Sequence, residues 1–416
     1  MKKRSLVRPL QWVCIMALVA LGLIQPSASA QEATHTLPRV AGMEERWIEV
    51  LRELVETNSG SANPDGLEKN REILIDAFAS IGFQATEHDA GNGHKVLSFE
   101  KEGAEPELAL VGHLDTVFEE ESSFQELRIE GDRLIGPGVI DMKGGLVMML
   151  DLAERLNQTD SELASKVRIV INDDEETGSV YSKSILKELT KDLSYALVLE
   201  PGLPDGSVVT AHMGVRWLQI DVKGKAAHAG MEPQQGIDAC TEAAYKMTKM
   251  VKMTNYDGGP YVNPGVVEGG TKPNVICEEA SVKIDVRYVE EKDLKRVMKK
   301  LGKITDRSYV YNPVLEEGTT STLKQLAALP AMPPASTDEL FAIAQAAGEE
   351  LGQTVTGQAV GYGSDANHLA ETEVNLLVGL GPYGGAMHTD EEYMLISSYV
   401  SRLQLNEAII RKALTD

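Results

Sequence analysis

Residues 108–116, LALVGHLDT, and residues 167–179, VRIVINDDEETGS, each pass from a short apolar run into a histidine or a cluster of acids. Short runs rich in Leu, Val and Ile, with almost no polar alternation, describe strands buried on both faces. A third run, Ala196-Leu197-Val198-Leu199, ends at Glu200-Pro201-Gly202. Between the first two lies GPGVIDMKGG (136–145), immediately before a helical stretch. In open α/β sheets ligands bind outside the carboxyl ends of the strands. That placement brings His113, Asp141, Glu175, Glu176 and Glu200 to one rim.

Outward from these strands the chain alternates. Residues 43–57 place Trp47, Val50, Leu51 and Leu54 at helical spacing, and 67–82 reads as a second helix ending at Gly82. Helical stretches at 145–157 and 181–190 separate the apolar runs. The expected fold is therefore α/β, a mixed, mainly parallel sheet flanked by helices. Near residue 213 the pattern changes to a strand (215–222), a long helix (236–254), an alternating strand (280–289), a Lys-rich helix (291–305) and a strand at 309–316. This order matches an inserted α+β, ferredoxin-like domain. Residues 318–336, with three prolines, read as a return linker, after which a helix (337–352), a strand (374–380) and a helix from about 396 resume the first domain. The expected division is a leader over 1–30, a catalytic domain built from 31–212 and 323–416, and a lid and dimerisation domain over 213–322 inserted between those two segments.

The 416 residues carry 63 acids against 40 Lys and Arg, a formal charge of −23. Such a chain repels phosphate backbones and anionic lipid heads, which argues against nucleic-acid and membrane-surface roles. Lys2, Lys3, Arg4 and Arg8 precede the apolar run Trp12–Ile24, and Ala28-Ser29-Ala30 follows it. This is the layout of a secretory signal peptide cut after Ala30, too short in its apolar stretch for a membrane span. The expected product is an exported protein, periplasmic or secreted. Cys240 and Cys277 then remain and are read as two buried thiols rather than a bridge. Met247, Met250 and Met253 read as core or subunit interface, and the lysines of 292–303 as a solvated helix face.

Several carboxylates cannot be buried together unless cations neutralise them. An imidazole with carboxylates suits Zn²⁺ with a position open for water. His113-x-Asp115 is spaced so that the acid can hold the second ring nitrogen of its own histidine. The chain has no Gly-x-Ser-x-Gly elbow, His-Glu-x-x-His helix or Walker-type loop. A metal-binding module without catalysis is the competing class, and Glu175, superfluous in a pure binding site, separates the two.

The motifs GHLDT, GPGVIDMKGG, NDDEETGS and LEPG, with KAAHAG (225–230), GGTKPNVI (269–276), DVRY (285–288), GYGSDAN (361–367) and GPYGGAMHTDEE (381–392), resemble those of the co-catalytic di-zinc peptidase and deacylase family. That family includes aminoacylase, acetylornithine deacetylase, succinyl-diaminopimelate desuccinylase and glutamate carboxypeptidase, the last being the nearest likeness. The resemblance implies two Zn²⁺ per subunit. His113 and Glu200 would hold one ion, Glu176 and His388 the other, and Asp141 would bridge them while Asp115 orients His113. Glu175 would be the general base for a zinc-bridging hydroxide. His228 would stabilise the oxyanion across a homodimer interface, and Asn274, Arg287 and Gly363 would bind substrate.

The implied activity is that of a metallopeptidase of the carboxypeptidase type, an exopeptidase cleaving an amide next to a free carboxylate. The alternative is an N-acyl amino-acid deacylase or dipeptidase with the same metal site. Three departures stand out. Tyr362 occupies a loop that is usually all glycine, and Met142 replaces the acid that commonly follows the bridging aspartate. The stretch Asp205-Gly206-Ser207-Val208 also lacks a lysine that contributes to glutamate binding in the nearest branch.

Overall fold

A computed structural model of the protein describes residues 43–415. The expected leader, residues 1–30, lies outside the described residues. The chain enters through helix Glu45–Glu56, which buries Trp47, Ile48, Leu51, Leu54 and Val55 on one side. Helix Pro64–Ser80 follows, with proline at its first position and the Asn63 side chain accepting the Gly66 N–H at 3.0 Å. Such a cap satisfies a donor the helix leaves unpaired.

An eight-stranded sheet forms the centre, in the order Gln84–Gly91, His94–Glu100, Val167–Asn172, Leu108–His113, Tyr195–Val198, Asn375–Val378, Val208–His212, Gly357–Val360. Its four middle strands are mutually parallel. Every residue of Leu108–His113 is buried, which explains the unbroken apolar run. Helix Gly144–Thr159 packs on this sheet and buries almost all of its residues. The mainly parallel sheet flanked by helices is thus the architecture expected from the sequence.

The first two strands form a hairpin that the sequence pattern does not predict. Gln84–Gly91 is polar and mostly exposed, so it has no hydrophobic alternation to announce it.

A second sheet, antiparallel, has the order Tyr261–Gly269, Glu279–Tyr288, Gly214–Lys223, Thr320–Leu329. Helices Ala239–Met250 and Glu291–Asp306 pack on it, with Met250 buried and Met247 and Met253 against the same core. The lysines of 292–303 are exposed, as expected.

Three expectations from the sequence do not hold. Residues 318–336 are not a linker throughout, because 320–329 is a full edge strand that continues past residue 322. Its side chains are exposed or half-buried along nearly the whole length, so it carries no apolar signal. The strand expected over 309–316 is only a two-residue pairing of Tyr311–Asn312 with Glu317–Gly318.

Cys240 and Cys277 are joined in a disulfide rather than being separate thiols. The loop after Gly269 turns back onto the start of helix Ala239–Met250, where the Ala239 N–H donates to the Cys277 carbonyl at 2.8 Å. A pairing made by this loop return is invisible in a spacing of 37 residues.

A bridge closing a loop of that length restricts the unfolded chain strongly. Replacing both cysteines by serine is expected to lower stability by about 2–4 kcal/mol. The check is a lower urea midpoint with a steeper slope, because the unbridged unfolded chain exposes more surface; an unmoved midpoint would show that the loop is ordered without its bridge.

Candidate metal centre

His113 is the last residue of its strand and pairs in register with Asn172, the last residue of the neighbouring parallel strand. On its other side Tyr195–Val198 delivers Glu200 two residues beyond its end. Asp141 lies in a short irregular turn before helix Gly144–Thr159, and the Asp141–Met142 peptide is cis. Met142 is buried beneath His113, whose N–H points at its sulfur at 3.2 Å. Gly112 leaves room for the ends of the Met142 and Met149 side chains, which a Cβ there would displace. The position the resemblance associates with a second acid is therefore an apolar packing site.

Asp141 is the hub. Its Oδ1 lies 3.3 Å from His113 Nε2, and its Oδ2 lies 3.2 Å from His388 Nε2. Glu200 stands 3.5 Å and Glu175 4.0 Å from His113 Nε2, while Glu176 stands 3.6 Å from His388 Nε2. The six side chains expected to surround the metals and supply the base are thus together. The donors lying within 4.8 Å of one another form two sets, His113–Asp141–Glu176 and His113–Glu175–Glu200, which share His113, and His388 stands beside Asp141 and Glu176.

The electrostatics of the cluster follow from its burial. Burial, then Asp141, pushes the Glu176 carboxyl up to about 8. Burial likewise holds Glu175 well above its usual range, with Glu200, Asp365 and Glu176 adding repulsion against the pull of His113. His388 rises to about 9 on its hydrogen bond to Asp141. Burial opposes the charge on His113, yet Glu200, Asp115 and Asp141 hold its imidazole well above the ordinary value. The cluster demands positive charge, and protonation is its poorer substitute for a divalent ion. Among the described residues, buried His113 Nε2 and Glu176 Oε1 have no hydrogen-bond partner. Imidazole and carboxylate donors within 4.8 Å of one another suit a metal.

Asp115 is fully buried and ties this layer together. Its Oδ1 accepts the Glu175 N–H and its Oδ2 the Glu176 N–H, each at 3.1 Å, and Ser61 donates to Oδ2 at 2.7 Å. His113 Nδ1 lies 3.0 Å from the Asp115 carbonyl and 3.3 Å from Oδ1. Both acceptors keep the proton on Nδ1 and leave Nε2 facing the cluster.

The acidic run divides by role. Asp173 pairs with Arg71 and His94, and Asp174 accepts the N–H groups of Tyr181 and Ser182. Only Glu175 and Glu176 face inward.

The remaining predicted residues are not in this cluster. His228 is exposed on the second sheet's side, and its Nδ1 accepts the N–H groups of Gly230 (3.2 Å) and Met231 (3.1 Å). Among the described residues it has no hydrogen bond or ion pair to the acids. Exposed Asn274 offers its carbonyl to the Ala229 N–H at 3.0 Å, beside the His228–Val275 pairing. Arg287 Nε is held by the Asp285 carboxylate at 3.0 Å, and Nη1 donates to the Gly361 carbonyl at 3.1 Å. Gly363 has no room for a Cβ against Leu329 and Asn367.

Two contributors carry no separate role in the sequence pattern. Asp365, in GYGSDAN, accepts from Ser179 and from Asn172 (3.2 Å) and is pushed to about 7 by burial. Glu392, closing GPYGGAMHTDEE, is buried and accepts three backbone N–H groups. Both sit inside motifs that carry the family resemblance, and membership of those motifs is their only signal.

A family model described as peptidase family M20/M25/M40 matches residues 109–412. Carboxypeptidase G2 of Pseudomonas sp. (strain RS-16) is 26% identical over 408 residues, spanning 95% of this chain and 96% of that protein. Acetylornithine deacetylase of Erwinia tasmaniensis is 27% identical over 58% of this chain and 67% of its own. Aminopeptidase PepT of Bacillus cereus superposes with a TM-score of 0.73 at 23% identity, over 88% of this chain and 98% of that one. Bacillus subtilis YXEP, described as a dinuclear metal binding peptidase, gives 0.67 at 17% identity over 89% and 98%.

Asp115→Ala would leave two part-buried backbone donors and the Ser61 hydroxyl without their acceptor. The variant is expected to bind metal about 10–100-fold more weakly, the usual effect of losing a partner behind the ligands. Metal titration of the stripped protein checks this; parental affinity would show that Asp115 does not organise the site.

Proposed function

Because the chain belongs to peptidase family M20/M25/M40, and is a metal-dependent hydrolase on that ground, we propose the following specific activity. It is a two-zinc exopeptidase that cleaves an amide next to a free carboxylate, in the manner of a glutamate carboxypeptidase. The observation that carries this reading is Asp141, with one oxygen toward His113 and the other toward His388. His113 with Glu200 would hold one ion and His388 with Glu176 the other.

Bound there, the metals would supply Lewis acidity and a nucleophilic water near neutral pH. The rest falls to the chain. Asp115 accepts the Glu175 N–H and so holds the residue over the pocket, where its carboxylate, 4.0 Å from His113 Nε2, is placed to take a proton from the attacking water. Passing that proton to the leaving nitrogen completes the transfer.

His228 uses Nδ1 as an acceptor, which leaves Nε2 as a donor suited to a carbonyl oxygen gaining negative charge. It stands exposed and away from the acids of its own chain, which supports delivery by the second subunit of a homodimer. The segment from residue 213 through strand Thr320–Leu329 would serve as lid and dimerisation domain. Arg287, braced by Asp285, suits a substrate carboxylate, with Asn274 and Gly363 beside the bound amide. Export is supported by the N-terminal pattern and by the Cys240–Cys277 disulfide, a bond that persists in oxidising compartments.

The similarity to acetylornithine deacetylase keeps a second reading, an N-acyl amino-acid deacylase. Near full-length similarity to carboxypeptidase G2 favours the first. Purified enzyme assayed on acyl- and folyl-glutamates, acetyl-amino acids and dipeptides separates them. Turnover of glutamate conjugates is expected, and inactivity on all of them while acetyl-amino acids are cleaved would establish the alternative.

Glu175→Gln is expected to lower kcat by about 10²–10⁴-fold while metal content stays at the parental level. Full activity in that variant would remove Glu175 from the proton transfer. Mixed His228→Ala and Glu175→Ala subunits should regain partial activity if the histidine crosses the interface; exchanged heterodimers without activity would refute it.

A further inference from the structure

Glu392 lies four residues beyond His388 and is completely buried. Its Oε1 accepts the N–H groups of Ile140 at 3.1 Å and Asp141 at 3.3 Å. Its Oε2 accepts the His388 N–H at 3.3 Å, and its own carbonyl accepts the Gly136 N–H at 3.2 Å. One side chain thus joins the segment carrying Asp141 to the one carrying His388, residues 247 apart in sequence.

The two histidines need different help. His113 is the buried end of a central strand. The His388 side chain is half exposed, on a loop between the short strands Gly384–Gly385 and Tyr393–Leu395. Its backbone is in the left-handed region, φ 63°, which a non-glycine residue holds only when its surroundings impose it. Placing a buried acid beside Asp141 is unfavourable in itself. Three convergent N–H donors offset that repulsion and give the acid a geometric purpose.

We propose that Glu392 is a positioning residue that sets the occupancy of one metal position, the one faced by His388, Glu176 and Asp141 Oδ2. It does so by fixing the His388 backbone relative to Asp141. The proposal rests on the two-ion reading above.

The chemistry makes the effect one-sided. In Glu392→Gln only one acceptor oxygen remains. Two donors hold that oxygen toward Ile140 and Asp141, so the new NH₂ faces the His388 N–H and repels it. The Asp141 segment keeps its tie, and the His388 segment loses its own.

Metal-stripped parent and variant are titrated with Zn²⁺ by calorimetry, and bound metal is counted by mass spectrometry after dialysis. The parent is expected to take two ions per subunit. Glu392→Gln should keep one tight ion and bind the other at least about tenfold more weakly. The melting temperatures of the two metal-free proteins should agree. Glu392→Asp keeps both oxygens one methylene back and should fall between them. In a His388→Ala background, Glu392→Gln should cause no further loss, since the residue it acts through is gone.

Two ions bound with parental affinities in Glu392→Gln would overturn the proposal. So would equal weakening of both ions, or failure of both Glu392→Gln and Glu392→Asp to fold, since each makes Glu392 a scaffold residue. A parent that binds a single ion would instead fail the two-ion reading and take this proposal with it.

Discussion

Mutual repulsion among the carboxylates of Asp141, Glu175, Glu176 and Glu200 is the constraint around which the molecule is organised. Left to themselves, flexible loops bearing these acids would separate them. The fold opposes this with rigid delivery and with a second layer of buried acceptors. Asp115 gathers Glu175, Glu176 and Ser61, Asp365 gathers Ser179 and Asn172, and Glu392 gathers Ile140, Asp141 and His388. A hydrogen bond contributes about 0.5–1.5 kcal/mol net, and about 1.5–3 kcal/mol where the acceptor is ionised, so the gain at Asp365, which burial pushes up to about 7, lies between the two. Acids that face the pocket are thus kept in place by acids that face the backbone.

The same logic extends to the crossing between the two sheets. Strand Val208–His212 passes into Gly214–Lys223, and the chain returns after Leu329. Asn367 spans both crossings, donating to the carbonyls of Pro330 (2.7 Å) and Met213 (3.4 Å). Its oxygen faces His212 Nδ1 at 2.7 Å and accepts the Ser364 N–H at 2.8 Å. Asn367 stands two residues from Asp365 and four from Gly363. The tie between the sheets and the loop beside the acids are therefore one structure, and the glycine at 363 lets the loop pass Asn367 closely.

Legibility in the sequence followed burial. Leu108–Val111 and Ala196–Leu199 announced their strands because both faces are covered, and a strand end is where chemistry accumulates. The antiparallel edge Gln84–Gly91 and the strand Thr320–Leu329 gave no such signal, since neither has a buried face. The acidic run 173–176 was legible as a unit, but its division was not. Which acids turn inward depends on Arg71 and His94, partners contributed by distant segments. Asp365 and Glu392 were hidden for the same reason, because a side chain that accepts backbone N–H groups has no composition or period of its own. The disulfide depended on a loop return that no spacing encodes.

The two halves of the centre are held with unequal stiffness, and the asymmetry follows from topology. His113 and Glu200 come from adjacent parallel strands in the middle of the sheet, where register is fixed by pairing on both sides. His388 comes from a small four-stranded sheet, Gly384–Gly385, Tyr393–Leu395, Arg133–Ile135 and Arg128–Glu130, whose strands are two or three residues long. So short a ladder fixes direction poorly, and the loop it supports must be fastened by something else. That small sheet also leads, through Ile135, into the turn bearing Asp141. Asp141 and the more exposed His388 therefore share a support that the central sheet does not provide, which is why a buried acid spanning them has a place in the fold at all.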